Sequence, residues 1–132
     1  MENILKELPK KAKDKHKENI KVFKKLRKKP PKNLDNLMVE LHDQEFERTD
    51  CLTCANCCKT TAPWLNDQDV ARIAKHLKLK EQKFIEEYLE VGEDNEFSFK
   101  LIPCVFLMND NECSIYNVRP KACKEYPHTN RQ

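Results

Sequence analysis

The chain has 132 residues, of which 36% are charged and 39% hydrophobic, and its formal net charge is +3. That length makes one ordinary domain with a small core. It carries a single glycine, Gly92, where average usage of about 7% would give roughly nine. A phosphate-cradling P-loop and a dinucleotide fingerprint each need two or three glycines in a short span, so both are excluded.

No stretch approaches the roughly 20 apolar residues of a membrane-spanning helix. The N-terminal MENILKELPKKAKDK lacks an apolar run long enough for a secretory signal. The expectation is a cytoplasmic protein whose thiols stay reduced. Its seven cysteines then read as metal ligands before disulfides.

The net charge hides an asymmetry. Residues 9–32 carry twelve Lys and Arg against Asp14 and Glu18, a net of +10, while residues 33–132 carry a net of −6. This divides the chain into a basic helical arm, 1–32, and a cysteine-cluster metal-binding domain, 33–132. The arm, KKAKDKHKENIKVFKKLRKK, suits a helix with a narrow apolar seam through Ile20, Phe23 and Leu26. Its lysines could meet a nucleic acid or another acidic surface, though no motif singles out either. Pro30 and Pro31 end it, because proline has no N–H for the helix ladder.

A second helix is predicted over Leu34–Phe46. Leu34, Leu37, Met38 and Leu41 recur at i, i+3, i+4 and i+7, which predicts one buried face, and Asn33 is a suitable N-cap. After the cysteine-rich segment and Pro63, a third helix is predicted from Asn66. There Asp67 and Asp69 complement the helix dipole, and Val70, Ile73, Ala74 and Leu77 face inward. A fourth runs from about Glu81 to Val91, with Gly92 placed for a left-handed C-terminal cap. Phe97, Phe99 and Leu101 then alternate with polar residues as a strand would. Cys104–Met108, the turn Asn109-Asp110-Asn111 and Ser114–Tyr116 predict further strand pairing. Pro120 opens a short helix carrying Cys123. The fold class is mainly α with a small β-hairpin (α+β), a small single domain organised around a cysteine cluster and preceded by the basic helix.

The thiols carry the chemistry. CLTCANCCKT places Cys51, Cys54, Cys57 and Cys58 within eight residues, and Cys104, Cys113 and Cys123 follow singly. The C-x2-C-x2-C spacing of Cys51, Cys54 and Cys57 resembles the way a [4Fe–4S] cubane takes three thiolates from one loop. Zinc sites more often combine two separate C-x2-C pairs. The spacing therefore leans to an iron–sulfur cluster and leaves zinc open. The radical-SAM order, C-x3-C-x2-C, does not occur. Adjacent side chains usually diverge, so Cys57 and Cys58 need not share a centre, and one of them can pack as a small apolar filler. Seven thiols cannot complete two four-thiolate sites; His128 could add a ligand, and His42 is a weaker candidate. Lys59, Arg119, Lys121 and Lys124 flank the cysteines and could offset thiolate charge, Arg119 best because its guanidinium is a rigid donor fork.

CLTCANCCKT, PCVFL at 103–107 and CSIYNVRPKACKEYP at 113–127 together resemble the YkgJ-type cysteine-cluster family, CxxCxxCC, which is expected to chelate zinc or iron. Flagellin lysine methylases carry a similar module. The resemblance implies Cys51, Cys54, Cys57, Cys58, Cys104, Cys113 and Cys123 as ligands, with Tyr116, Arg119, Pro120, Tyr126 and Pro127 as framework. The family often has glycine after the second cysteine. Ala55 stands there, so a left-handed residue is not expected. A further downstream cysteine, frequent in the family, has no counterpart, which would leave a second site one ligand short.

Three functions follow as expectations: a cysteine-ligated iron–sulfur or iron protein, a structural zinc module presenting a surface to a protein partner, and an accessory or part of a protein-methylating enzyme. The sequence assigns no catalytic residue. Neither of its serines, Ser98 and Ser114, lies in a nucleophile motif.

Overall fold

The computed structural model describes residues 2–130, with side chains from residue 4 onward. The chain forms two compact units. One comprises the residues up to Asp50 with the chain end from Thr129, and the other comprises Cys51–His128.

In the first unit, helix α1 spans Glu2–Lys28 and continues through Pro9. Helix α2 spans Leu34–Phe46, as its apolar period predicts. Asn33 precedes it without a side-chain capping bond. The predicted buried face of α2 is a correction. None of its residues is buried, and Met38 and Leu41 are 38% and 49% exposed. Periodicity reports that a helix has an apolar side, but burial needs a second surface. Within this unit His42 stacks on Phe46, with ring centroids 4.6 Å apart, and its Nδ1 lies 2.7 Å from Thr129 Oγ1.

The second unit holds the core. Two short helices, α3 (Cys51–Cys54) and α4 (Asn56–Thr60), precede strand β1 (Trp64–Leu65). Helix α5 (Asp67–His76) and helix α6 (Glu81–Tyr88) lead into β2 (Leu89–Val91) and β3 (Phe97–Phe99). A 3-10 turn, Tyr116–Val118, and helix α7 (Lys121–Glu125) follow. The fold is mainly helical with a three-stranded antiparallel sheet in the order β1-β3-β2. Trp64 pairs with Ser98, and Leu89 pairs with Phe99. Leu65, Val70, Ile73, Ala74, Phe84, Leu89, Phe99, Phe106 and Ile115 form one buried cluster, with Cys104 and Cys113 packed against its edge.

Helix α5 starts as predicted. Asn66 Oδ1 accepts from Asp69 N at 2.8 Å, and Asp69 Oδ2 accepts from Asn66 N at 3.2 Å, a reciprocal capping box. It ends in a motif the sequence does not announce. Leu79 N donates to Ala74 O and Lys78 N to Lys75 O, at 2.9 and 3.1 Å, with Lys78 at φ 58°. That is a Schellman cap with lysine where glycine is usual.

Two expectations about the sheet are corrected. Helix α6 stops at Tyr88, and residues 89–91 form a strand. Gly92 is not left-handed; Asn95 takes that conformation at φ 58° in the turn joining β2 to β3. The bonds Gly92 N to Glu96 O, 2.8 Å, and Asn95 N to Gly92 O, 3.1 Å, close this turn. Residues 104–116 add no strand to the sheet and share a single bridge, Leu107 with Cys113. Leu89 and Val91 satisfy a strand's alternation as well as a helix's face, and tertiary pairing with β3 decides between them.

The left-handed lysine gives a direct test. Lys78→Gly relieves a penalty of roughly 1–2 kcal/mol against the greater chain entropy of glycine. The expected net is about 0.5–1 kcal/mol of added stability in urea denaturation. Gly92→Ala should leave stability nearly unchanged, since an added Cβ meets Glu96 O at an ordinary 3.7 Å.

Candidate metal centre

Ala55 separates α3 from α4 in the left-handed region, φ 47° and ψ 22°, and is buried. This overturns the expectation drawn from the missing glycine: the residue is left-handed with alanine in place, at some steric cost to the methyl group. Ala55 N donates to Cys51 O at 2.8 Å and Lys59 N to Ala55 O at 3.1 Å, so the reversal is hydrogen-bonded on both sides. Lys59 Nζ adds a bond to Cys54 O at 3.3 Å. One non-helical residue thus turns the chain so that Cys57 and Cys58 start a new helical direction.

Cys104 N donates to Cys58 O at 2.8 Å, which joins the second cysteine segment to α4 through the backbone. The chain between Cys104 and Cys113 folds back in a reverse turn. Ser114 N donates to Phe106 O, 2.9 Å, Met108 N to Glu112 O, 2.8 Å, and Asn111 N to Met108 O, 3.0 Å. Asn111 Nδ2 donates to Leu52 O at 2.7 Å, tying this turn to α3.

Cys123 is positioned by a residue the sequence marked only for its dipole. Asp69 is 1% exposed. Its Oδ1 accepts from Lys121 N, 3.1 Å, and from Arg72 Nη2, 2.5 Å. Arg72 also donates to Val118 O, 3.3 Å, and Arg119 O, 2.9 Å. One buried carboxylate and its guanidinium therefore clamp the segment 118–121 that starts α7. Arg119 itself lies over the Tyr116 ring, 3.8 Å from its centroid, and donates to Tyr116 O at 2.8 Å. It braces the 3-10 turn. An i, i+3 Asp–Arg pair in a first turn is legible in sequence, but its reach to residues 118–121 is not.

None of the seven cysteines is in a disulfide. Cys57 Sγ and Cys58 Sγ stand 3.9 Å apart, so these neighbours converge where divergence was the expectation. Burial pushes the Cys58 thiol up to about 12, and the charges of Cys57, Cys104 and Cys113 add to it. Burial likewise takes Cys123 up to about 12, with contributions from Cys58, Cys104, Cys113 and Cys57. Cys104 is raised by burial and, more weakly, by Cys113 and Cys57. In each case burial is the larger cause, and the neighbouring thiolates add a smaller penalty on ionisation. Cys57, Cys58, Cys104, Cys113 and Cys123 thus form one electrostatic neighbourhood. Cys51 is exposed and Cys54 half-buried. His128 is exposed and edge-on to Tyr126, with ring centroids 6.3 Å apart.

Among the described residues, no group of three or more His, Cys, Asp or Glu is arranged to hold a metal ion as it stands. The donor chemistry nonetheless fits zinc or iron. The gathered donors are all sulfur, which suits soft or borderline ions. Their mutual repulsion is also what a dication would reverse.

Residues 50–132 match the family CxxCxxCC, described as "Putative zinc- or iron-chelating domain". The chain belongs to this family. It is 33% identical over 85 residues to a curated relative, "Uncharacterized protein MJ0661" of Methanocaldococcus jannaschii, a match covering 60% of this chain and 44% of the relative. No solved structure matches the chain.

Asp69→Ala leaves Lys121 N and Asn66 N without an acceptor and Arg72 without its carboxylate. The expected loss is about 2–4 kcal/mol in denaturation experiments. In the metal-free protein at about pH 8, Cys58 and Cys123 should be the last cysteines to react with iodoacetamide, because only the thiolate attacks. Mass spectrometry of the partially alkylated chain reads the order. As pH rises from about 9 toward 12, both buried thiols ionise less readily folded than unfolded. Their contribution to stability is therefore complete below that window and lost across it.

Proposed function

We propose that this protein chelates a single divalent ion, zinc or iron, through four of the five gathered thiols, Cys57, Cys58, Cys104, Cys113 and Cys123. The observation that carries the reading is the 3.9 Å separation of Cys57 Sγ and Cys58 Sγ. Metal–sulfur bonds of about 2.3 Å in a tetrahedron put the sulfurs about 3.8 Å apart. In a cubane each cysteine takes its own iron, and the ligand sulfurs stand wider apart than one such edge.

The chemistry supplied by the ion is charge neutralisation and cross-linking of three chain segments. The protein's own residues do the rest. Ala55 reverses the chain, the Cys104–Cys58 backbone bond sets two segments side by side, and Asp69 holds the start of α7. A site closed by four thiolates has no open position for substrate, which suits a structural or storage role more than a catalytic one. The reading fits the cytoplasm, where such thiols stay reduced. A structural site of this kind also suits presentation of a surface to a protein partner, or service as a module of a larger enzyme such as a protein methylase.

A [4Fe–4S] cluster is the second reading, favoured by the C-x2-C-x2-C spacing of Cys51, Cys54 and Cys57. Metal analysis of protein purified without oxygen separates the two. One zinc or iron per chain without acid-labile sulfide, lost in Cys58→Ser and kept in Cys51→Ser, supports the single ion. Four irons with labile sulfide, lost in Cys51→Ser, supports the cluster. A preparation with neither metal sinks both. Chelation should lower Tm by at least about 5 °C, since metal binding here contributes to folding.

A further inference from the structure

Helix α1 carries a second pattern, independent of the thiols. Lys10, Lys13, Lys17, Lys21, Lys24 and Lys28 follow one another at steps of three and four residues. At 3.6 residues per turn they occupy one face, an arc of about 80°, over a length of about 27 Å. All six are exposed. Glu7 pairs with Lys11 at 3.0 Å and Glu18 with Lys15 at 2.7 Å, both off this face, and Asp14 stands at its edge without pairing to any of the six. Among the described residues no carboxylate lies within ion-pairing distance of the six.

A row of unpaired ammonium groups this long calls for a partner whose negative charge is equally extended. Two such surfaces are common, nucleic acid and an anionic bilayer. The apolar residues decide between them. Leu8, Ala12, Phe23 and Leu26 lie on the side of α1 opposite the lysines, and Phe23 is 65% exposed. A helix lying in a bilayer surface buries its apolar side while its cations reach the headgroups. Here that apolar side is interrupted: between Ala12 and Val22 it is occupied by Lys15, His16 and Asn19, so the helix offers no continuous apolar strip for a bilayer to bury. A duplex engages the lysine face alone and asks nothing of the opposite side. It also carries one charge per about 1.7 Å of axis, enough to meet every lysine in the row.

We infer that the lysine face of α1 is a binding site for the phosphate backbone of double-stranded nucleic acid, without sequence preference. Base reading is done chiefly by Arg, Asn and Gln forks, and the face holds only lysines, which meet phosphate as point charges. If about four of the six reach phosphates, log Kd should depend on log salt with a slope of magnitude about 3–4.

The test uses the full chain and a fluorescently labelled duplex DNA of arbitrary sequence, read by anisotropy from about 50 to 200 mM salt. Two triple variants carry the same charge change: Lys13→Gln, Lys17→Gln, Lys21→Gln on the face, and Lys11→Gln, Lys15→Gln, Lys25→Gln off it. Glutamine has nearly the helix propensity of lysine, so both should keep their far-ultraviolet helix signal. The expected result is binding by the parent, weakened about tenfold or more and with a flatter salt dependence in the on-face variant, and changed less than threefold in the off-face one. No binding at the lowest salt overturns the proposal. Equal losses in the two variants also overturn it, by reducing the face to net charge. Binding to phosphatidylserine vesicles in preference to the duplex assigns the helix to membranes and overturns it as well.

Discussion

The body of this protein depends on a carboxylate with no water to lean on. Asp69 is buried at the first turn of α5, where it completes the helix's own capping box and also accepts from Lys121 N and Arg72. A charge removed from water is tolerated only when donors replace its hydration. Here the donors come from two places far apart in sequence. Satisfying the carboxylate therefore requires the 118–121 segment to dock on α5. Docking that segment places Cys123 beside the other thiols. The same bonds that stabilise a helix end thus also position Cys123.

The thiols show the opposite electrostatics. Asp69 is a single charge surrounded by donors, whereas Cys58 and Cys123 are thiols surrounded by other thiols. Burial and mutual repulsion both favour the protonated form of Cys58, Cys104 and Cys123. Cys104 and Cys113 pack against that core, which fixes their backbone whether or not an ion is present. A preformed backbone lowers the ordering cost of metal binding, and the ion in turn removes the repulsion. Arg119, the cation expected to offset thiolate charge, instead spends its guanidinium on Tyr116.

The elements with strong periodicity were legible from residues alone. Helices α2 and α5 lie where their apolar repeats and the cap at Asn66 place them. The short helix after Pro120 also follows from proline chemistry. What failed were features whose local signal supports two outcomes. Residues 89–91 read as the last helical turn and pair as a strand. Gly92 reads as a cap, yet Lys78 and Asn95 take the left-handed positions. The penalty for a side chain there is small enough for tertiary contacts to override it.

Composition and spacing by themselves determined that this is a small, cysteine-rich, mainly helical chain with a basic arm, and they excluded nucleotide-binding loops outright. These are matters of residue supply, and a chain with one glycine cannot build a loop that needs three. Only the tertiary structure decided which thiols share an electrostatic neighbourhood. Spacing along a loop favoured Cys51, Cys54 and Cys57, whereas the left-handed turn at Ala55, the bond from Cys104 to Cys58 and the clamp at Asp69 bring Cys57 and Cys58 into electrostatic contact with three later cysteines. The physical reason is that sulfur positions are set by backbone direction and long-range hydrogen bonds, and neither is encoded in the interval between two cysteines.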